Sequence, residues 1–216
     1  MFAVIFEVQP HPDRRDTYLD LAKLLRPELL RIEGFIDNER FTSATVPDRI
    51  LSLSLWRDEK AVIRWRTVAM HHSVQEMGRS SVFADYHLRV GEVTADSDAA
   101  AGTLPQMRFD TTETGSAPLV TITHLRERDH GASLPLPSGT DAHGLVSADR
   151  YTSITTVGKE LWLASWRDEA ATGAWEAQLP EPGVAGRRHQ RVHIIRDYGM
   201  YARHEAPQYY PPVSST

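Results

Sequence analysis

The sequence contains no cysteine among its 216 residues. Disulfide bonds, thiolate nucleophiles and metal centres with cysteine ligands are therefore excluded. No apolar run approaches the roughly 20 residues that cross a bilayer. The first ten residues, MFAVIFEVQP, lack the basic leader and the cleavage site of a signal peptide. We therefore expect a cytoplasmic protein that has no membrane partner.

Excess positive charge is also absent. Lys and Arg number 24 against 29 Asp and Glu, which gives a formal net charge of −5. Binding to nucleic acid depends on clustered Lys and Arg, and the densest basic group is the short run at 186–191. A composition that is 41% hydrophobic and 25% charged is typical of a globular protein. We therefore expect no nucleic-acid partner.

The sequence does contain one phrase written twice. WRDEKAVIRW begins at Trp56, and WRDEAATGAW begins at Trp166, 110 residues later. ERFTSAT at 39–45 matches DRYTSIT at 149–155 with the same offset. An unbroken offset over such a stretch indicates an internal repeat.

The repeat divides the chain into a first unit at 1–93, a polar linker at 94–117, a second unit at 118–201 and an extended tail at 202–216.

Hydrophobic periodicity in the first unit predicts a strand at 4–10, a helix that ends at Gly34, strands at 35–45 and 50–56, a helix at 58–77 and a strand at 82–93. Pro27 predicts a kink or a break in the first helix. The order βαββαβ is the ferredoxin-like pattern of the α+β class.

The second unit repeats this order with one loss. Three Gly and two Pro at 128–144 predict that most of its first helix is missing. A single βαββαβ unit leaves one sheet face bare, and that face must be buried. We therefore predict that the two units close face to face into one pseudo-dimeric α/β barrel. Such a chain needs no partner to complete the barrel, so we expect a monomer, or a dimer that forms through another surface.

IEGFIDNERF, LSLWRDEKAVIRW and HHSVQEMGR, all within residues 2–93, resemble the antibiotic biosynthesis monooxygenase family of the dimeric α/β-barrel superfamily. Residues 118–201 resemble it more weakly. The resemblance implies a small-molecule monooxygenase that uses dioxygen on an aromatic or polyketide-like substrate, without a cofactor. The alternatives are a non-catalytic ligand-binding or structural barrel, a cyclase or dehydratase on the same fold, and a haem-binding member.

The resemblance also implies that Trp65 lines the pocket; the alternative for Trp65 is a core anchor. His71 and His72 are the candidate bases. Successive helical residues point about 100° apart, so only one of the two can face the pocket, and we favour His72. A histidine with a pKa near neutrality can take a proton from a phenol or an activated C–H group. The resulting carbanion can react with dioxygen. The alternative is a helix-end histidine that is satisfied by backbone or water.

Three further residues are candidate substrate ligands. Asn38 could hydrogen-bond a substrate carbonyl or an oxygen intermediate, Arg40 could hold an acidic substituent, and Tyr86 could offer a phenolic donor. Core packing for Tyr86 and solvation or ion pairing for Arg40 are the alternatives.

The cofactor prediction rests on a missing histidine. In the haem-degrading branch of the superfamily, the resemblance implies a His ligand about three turns after the matched Trp. This chain has Gln75 and Glu76 there. We therefore expect no cofactor, with haem as the alternative. The histidines at 71–72 and 189–193 lack a nearby carboxylate in a ligand pattern, so we expect no metal.

The second unit differs where the first has its pocket. Ser52 and Ser54 of the first unit correspond to Trp162 and Ala164, and Gly173 lies inside the second unit's helix. We therefore expect the working pocket in residues 1–93 and a supporting role for the second unit.

Overall fold

The chain has an α+β fold. A computed structural model describes residues 1–100, 102, 104–125, 144–179 and 187–208. Its elements are β1 Phe2–Pro10, α1 Arg15–Leu30, β2 Phe35–Ser43, β3 Ile50–Trp56, α2 Glu59–Arg66, α3 Ala69–Met77, a π-helical turn Gly78–Val82, β4 Phe83–Asp96, β5 Leu119–Leu125, β6 Leu145–Ser153, β7 Glu160–Trp166, α4 Glu169–Glu176 and β8 Arg188–Gly199. Within those ranges, no helix is long and apolar enough to cross a membrane.

The eight strands form one closed barrel in the order β1-β3-β2-β6-β7-β5-β8-β4. The two halves pair their strands in the same register: Trp56 lies opposite Phe2, and Trp166 lies opposite Leu119. Antiparallel pairing of β2 with β6 and of β4 with β8 joins the halves. The predicted fold class is therefore confirmed. The predicted loss of a helix at 128–144 lies outside the described residues, apart from Gly144.

The barrel interior buries a core to which both halves contribute, including Ile5 and Phe41 from one and Ile122 and Leu161 from the other. The transfer of such side chains from water is the main favourable term in folding.

A polar network crosses the same interior. Arg89, which is 3% exposed, donates to Glu7 Oε2 at 2.5 Å and to Ser165 Oγ at 2.7 Å. Tyr151 Oη donates to Glu7 Oε1 at 2.6 Å. Burial alone would raise the pKa of Glu7, but Arg89 and the Tyr151 hydrogen bond lower it below its ordinary value. Because the bonds from Arg89 to Ser165 and from Tyr151 to Glu7 join residues of different halves, the network fixes how the halves meet.

The repeated phrase forms the same strand-to-helix junction in both halves. Asp58 caps α2 by accepting a hydrogen bond from the Ala61 amide at 2.8 Å, and Asp168 caps α4 by accepting one from the Ala171 amide at 2.8 Å. A carboxylate at this position satisfies an amide that has no partner within the helix.

A glycine in the left-handed region completes each junction. Gly34 has φ +91° and Gly144 has φ +72°. A Cβ atom on Gly34 would lie 2.8 Å from the Cβ of Ala61, and one on Gly144 would lie 2.7 Å from the Cβ of Ala171. Glycine is therefore required at both positions by conformation and by close approach of the helix.

Two predictions about the helices are wrong. The helix predicted at 58–77 is interrupted between Arg66 and Ala69, because Thr67 caps α2 with its hydroxyl on the Ile63 and Arg64 carbonyls and Val68 is extended. α1 ends at Leu30 and not at Gly34; it also continues through Pro27, so of the predicted kink or break the break does not occur. Pro27 has no N–H to donate to the Lys23 carbonyl, so the helix lacks that one bond of its ladder.

We predict opposite effects of two Gly→Ala substitutions. Gly34→Ala should lower the free energy of unfolding by about 1–3 kcal/mol, because it forces a left-handed alanine against Ala61. Gly173→Ala should raise that free energy by up to about 1 kcal/mol, because Gly173 lies inside α4 and its new Cβ would meet nothing within 4 Å. Urea unfolding measures both changes. Equal effects of the two substitutions would contradict this account of the junction.

We also predict that the inner sheet faces of the barrel take no part in self-association, because the two halves of a single chain already bury them. Light scattering during gel filtration should report the mass of one chain or of a dimer. If a dimer is found, its dilution into single chains should leave the hydrogen-exchange protection of the barrel strands unchanged. A dimer that dissociates together with loss of strand protection would contradict this prediction.

Candidate functional site

A cavity of about 200 Å³ lies on the outer surface of the barrel, beneath α1, α2 and α3. It is on the first half, where the sequence predicts the pocket. The second half also contributes, because Arg196 and Tyr198 of β8 and the later residues Arg203, Pro207 and Gln208 line it. The described part of the predicted tail, residues 202–208, therefore lies over the site. Residues 209–216 lie outside the described residues.

Strand register gives the cavity a floor of two parallel rows. One row runs across neighbouring strands as Asn38, Ser54, Val4, Val90 and Arg196, and the next as Arg40, Ser52, Phe6, Leu88 and Tyr198. Each row is polar on β2 and β3, apolar on β1 and β4, and polar again on β8. The floor therefore suits a ligand with an apolar middle and polar groups at its ends.

The two residues of β2 that line the cavity, Asn38 and Arg40, differ from their predicted roles. The Asn38 Nδ2 group donates to Ser52 Oγ and to the Leu53 carbonyl, both at 3.1 Å. Both of its N–H bonds are thus in use, and Asn38 has none left for a substrate carbonyl. The guanidinium carbon of Arg40 lies 5.9 Å from the centre of the Tyr18 ring, and its Nε has no partner among the described residues. Arg40 is therefore the hydrogen-bond donor at this edge.

The cavity roof contains a stacked pair. The rings of Trp65 and His71 lie 4.1 Å apart at an angle of 17°, and both residues line the cavity. His71 Nδ1 lies 2.9 Å from the Trp65 carbonyl oxygen. Because a carbonyl can only accept, Nδ1 carries the proton and Nε2 is left as an acceptor.

His72 is not at the cavity, contrary to the sequence-based preference. It is exposed and is not among the lining residues. The break at Thr67 and Val68 restarts the helix at Ala69, and this turns His71 back onto Trp65. The sequence-based choice assumes one continuous helix. It selects the wrong histidine because the break changes the direction in which the side chains after it point.

Burial lowers the pKa of His71 to about 4, although its hydrogen bond to Trp65 acts in the opposite direction. The expected pKa near neutrality is therefore wrong for His71. At neutral pH the ring is uncharged, a hydrogen-bond acceptor and a weak base.

Tyr86 lies where two arginines meet. Arg79 from the π-helical turn and Arg203 from the segment after β8 each donate from NH1 to the Tyr86 hydroxyl at 2.7 Å. Arg79 is buried and also donates to the Met200 carbonyl. The sequence does not predict either arginine as a site residue. Arg79 directly follows Gly78 in a stretch that resembles the family, whereas nothing in the sequence places Arg203 near Tyr86.

The cavity wall is rich in positive side chains. Five arginines line it: Arg40, Arg66, Arg79, Arg196 and Arg203. Among the described lining residues, Glu59 is the one acid, and it pairs with Arg108. Long-range electrostatics in such a cleft favour an anionic ligand.

The equivalent region of the second half contains a polar network. His189 connects Thr123 Oγ1 at 2.9 Å to Glu176 Oε1 at 3.1 Å. The order resembles a catalytic triad, but Thr123 is only 2% exposed and Arg191 also binds Glu176. Burial would raise the pKa of Glu176, yet its hydrogen bonds to His189 and Arg191 lower it to about 2. The network is structural, and Trp175 packs 5.5 Å from His189 beside it.

The described residues offer little to a metal or to haem. They contain no group of three or more His, Asp or Glu side chains that could hold a metal ion. His71 is the one histidine among the described lining residues. Gln75 lines the cavity and Glu76 is exposed, so the position that a haem ligand would occupy by resemblance has no histidine.

Comparison with known proteins places this geometry in context. Residues 1–77 match the model of the antibiotic biosynthesis monooxygenase family. The chain is 43% identical to the jasmonate monooxygenase of Pyricularia oryzae over 225 residues, which cover 99% of this chain and 100% of that protein. Aldoxime dehydratase structures match with TM-scores of 0.58 and 0.55 at 11% identity; each match covers 89% of this chain, and 79% and 80% of those chains. At that identity, the likeness concerns the fold alone.

We predict that His71 titrates near pH 4. Its folded pKa lies below the value of about 6.5 in an unfolded chain, so its neutral form stabilises the fold fully above pH 6.5. That contribution declines by about 1.4 kcal/mol per pH unit as the pH falls toward 4. An NMR titration, with His71→Gln to assign the resonance, measures the midpoint. A midpoint near 6.5 would mean that the ring is not buried in this way.

Proposed function

Because this chain belongs to the antibiotic biosynthesis monooxygenase family, we propose that it oxidises a small apolar acid at a carbon next to a carbonyl group, without a cofactor. The observation that carries the substrate class is the cavity floor, which is apolar in the middle and flanked by arginines. We further propose that the protein acts in the cytoplasm, with dioxygen as its second substrate.

The named substrate of the Pyricularia oryzae relative fits this class. Jasmonate is a carboxylate that carries a cyclic ketone and an apolar side chain. It shares a ring-borne carbonyl group with the aromatic and polyketide-like substrates that the sequence predicts. We therefore take jasmonate as the first probe and polyketide-like aromatic acids as the second.

The proposed reaction begins with proton transfer. His71 Nε2 takes a proton from the carbon next to the carbonyl, while Arg40 donates a hydrogen bond to the carbonyl oxygen. A base with a pKa of about 4 is weak, so this hydrogen bond has to stabilise the enolate that forms. Trp65 stacks on His71 and limits the motion of its ring.

The enolate carbon then forms a bond with dioxygen. The electron pair left by the proton reduces the oxygen to a peroxide, which is protonated by His71. Loss of water, with removal of the second hydrogen of the same carbon as a proton, leaves a new carbonyl group. The balance is R₂CH₂ + O₂ → R₂C=O + H₂O, which needs no external reductant.

Oxygen uptake tests this proposal. The purified protein is treated with a chelator and mixed with jasmonate, or with anthrones that carry a carboxylate, in the absence of a reductant. Uptake should equal product formed, and mass spectrometry should find one new oxygen atom in the product. Binding without uptake would favour the non-catalytic ligand-binding barrel, and a Soret absorbance band in the purified protein would favour the haem alternative.

Paired variants test the assignment of residues. His71→Ala should lower turnover by about 10²–10⁴-fold, as expected for loss of a general base, while His72→Ala should have little effect. Trp65→Ala should weaken ligand binding, whereas Trp175→Ala should mainly lower the free energy of unfolding, because Trp175 is buried against Trp166. Loss of turnover in His72→Ala but not in His71→Ala would reverse the assignment.

A further inference from the structure

We infer that Arg79, Tyr86 and Arg203 form the seat for the substrate carboxylate, with the Tyr86 hydroxyl as the atom that donates to it. This inference rests on the proposed function, since it requires that the ligand is an acid. The sequence suggests that Arg40 holds an acidic substituent, whereas this inference places the carboxylate at Tyr86. It also makes the segment after β8 part of the site.

Tyr86 is an oriented donor. A phenolic oxygen accepts hydrogen bonds and donates one. Here two guanidinium groups donate to that oxygen at 2.7 Å each, and charge-assisted bonds of this kind are the stronger ones. Its accepting positions are filled, so the remaining capacity of the Tyr86 hydroxyl is to donate its own proton. Tyr86 lines the cavity, where a ligand oxygen can receive that proton.

The position of Arg203 is fixed by the segment that carries it. Arg203 NH2 donates to the backbone carbonyl of Gln208 at 2.9 Å. The side-chain amide of Gln208 donates to the Arg66 carbonyl, at the end of α2, at 3.2 Å. The Glu205 carboxylate accepts hydrogen bonds from the Thr114 amide at 3.1 Å and from Thr112 Oγ1 at 3.0 Å. The second half of the chain thus delivers one of the two cations to a site on the first half.

A carboxylate is the ligand group that this arrangement favours. Two fixed positive charges flank one oriented O–H donor, and carboxylates prefer several converging donors of this kind. Arg40 provides a single cation that stacks against Tyr18. The contacts Arg40–Tyr18, Tyr18–Phe83 and Phe83–Tyr86 run along one wall, so Arg40 and Tyr86 belong to the same wall of the cavity. With the acid at Tyr86, Arg40 is left for the carbonyl group.

The test compares jasmonate with its methyl ester, which keeps the shape and removes the charge. Titration calorimetry at pH 7 should find that the full-length protein binds the acid more tightly than the ester. Tyr86→Phe and Arg203→Met should each reduce that preference about tenfold or more, the loss expected for a hydrogen bond to a charged group. Arg40→Met should weaken both ligands alike and keep the preference.

The ratio of the two affinities is itself a control for folding, because a disturbed fold weakens acid and ester together. Loss of the preference in Arg40→Met, with its retention in Tyr86→Phe and Arg203→Met, would place the acid at Arg40 and overturn the inference. Failure of the protein to bind either ligand would overturn both the seat and the proposed substrate class. Tight, Tyr86-dependent binding of the acid without oxygen uptake would uphold the seat and overturn only the proposed reaction.

Discussion

Closure of the barrel is the constraint on which the rest of the structure depends. Each half makes four strands whose inner face is apolar, and that face is buried only when β2 meets β6 and β4 meets β8. The buried pair of Glu7 and Arg89 reaches Tyr151 and Ser165 of the other half, so a shifted register would leave charged groups without partners in the core. With the inner face occupied, binding can develop only on the outer face, between strands and helices.

The two halves share their junctions and differ on that outer face. Both use a left-handed glycine, a capping aspartate and a buried tryptophan where a strand turns into a helix. In the first half small serines on β3 leave space beneath three helices. In the second half His189 and Arg191 both form hydrogen bonds with Glu176, beside Trp175. A common scaffold with different outward side chains therefore leaves this cavity on the first half.

How much the sequence predicts depends on the range of the interaction involved. The first-half strands follow from local periodicity, and β3 lies at the predicted 50–56. The choice between His71 and His72 fails because it assumes one continuous helix, whereas the helix ends at the Thr67 cap and a new one begins after it. Arg203 could not be found from its neighbours in the sequence, because its partner Tyr86 is 117 residues away and only barrel closure brings the two together.

The chemistry of the site follows from where its charges are held. Burial keeps His71 neutral and makes it a weak base, so the proton removal that we propose depends on donors that face the developing negative charge. Arginines on β2, on the π-helical turn, on β8 and after β8 surround an apolar floor. Because these groups come from both halves, the second half does more than support the fold. Through Arg196 and Arg203 it supplies part of the positive field at the cavity in which His71 lies.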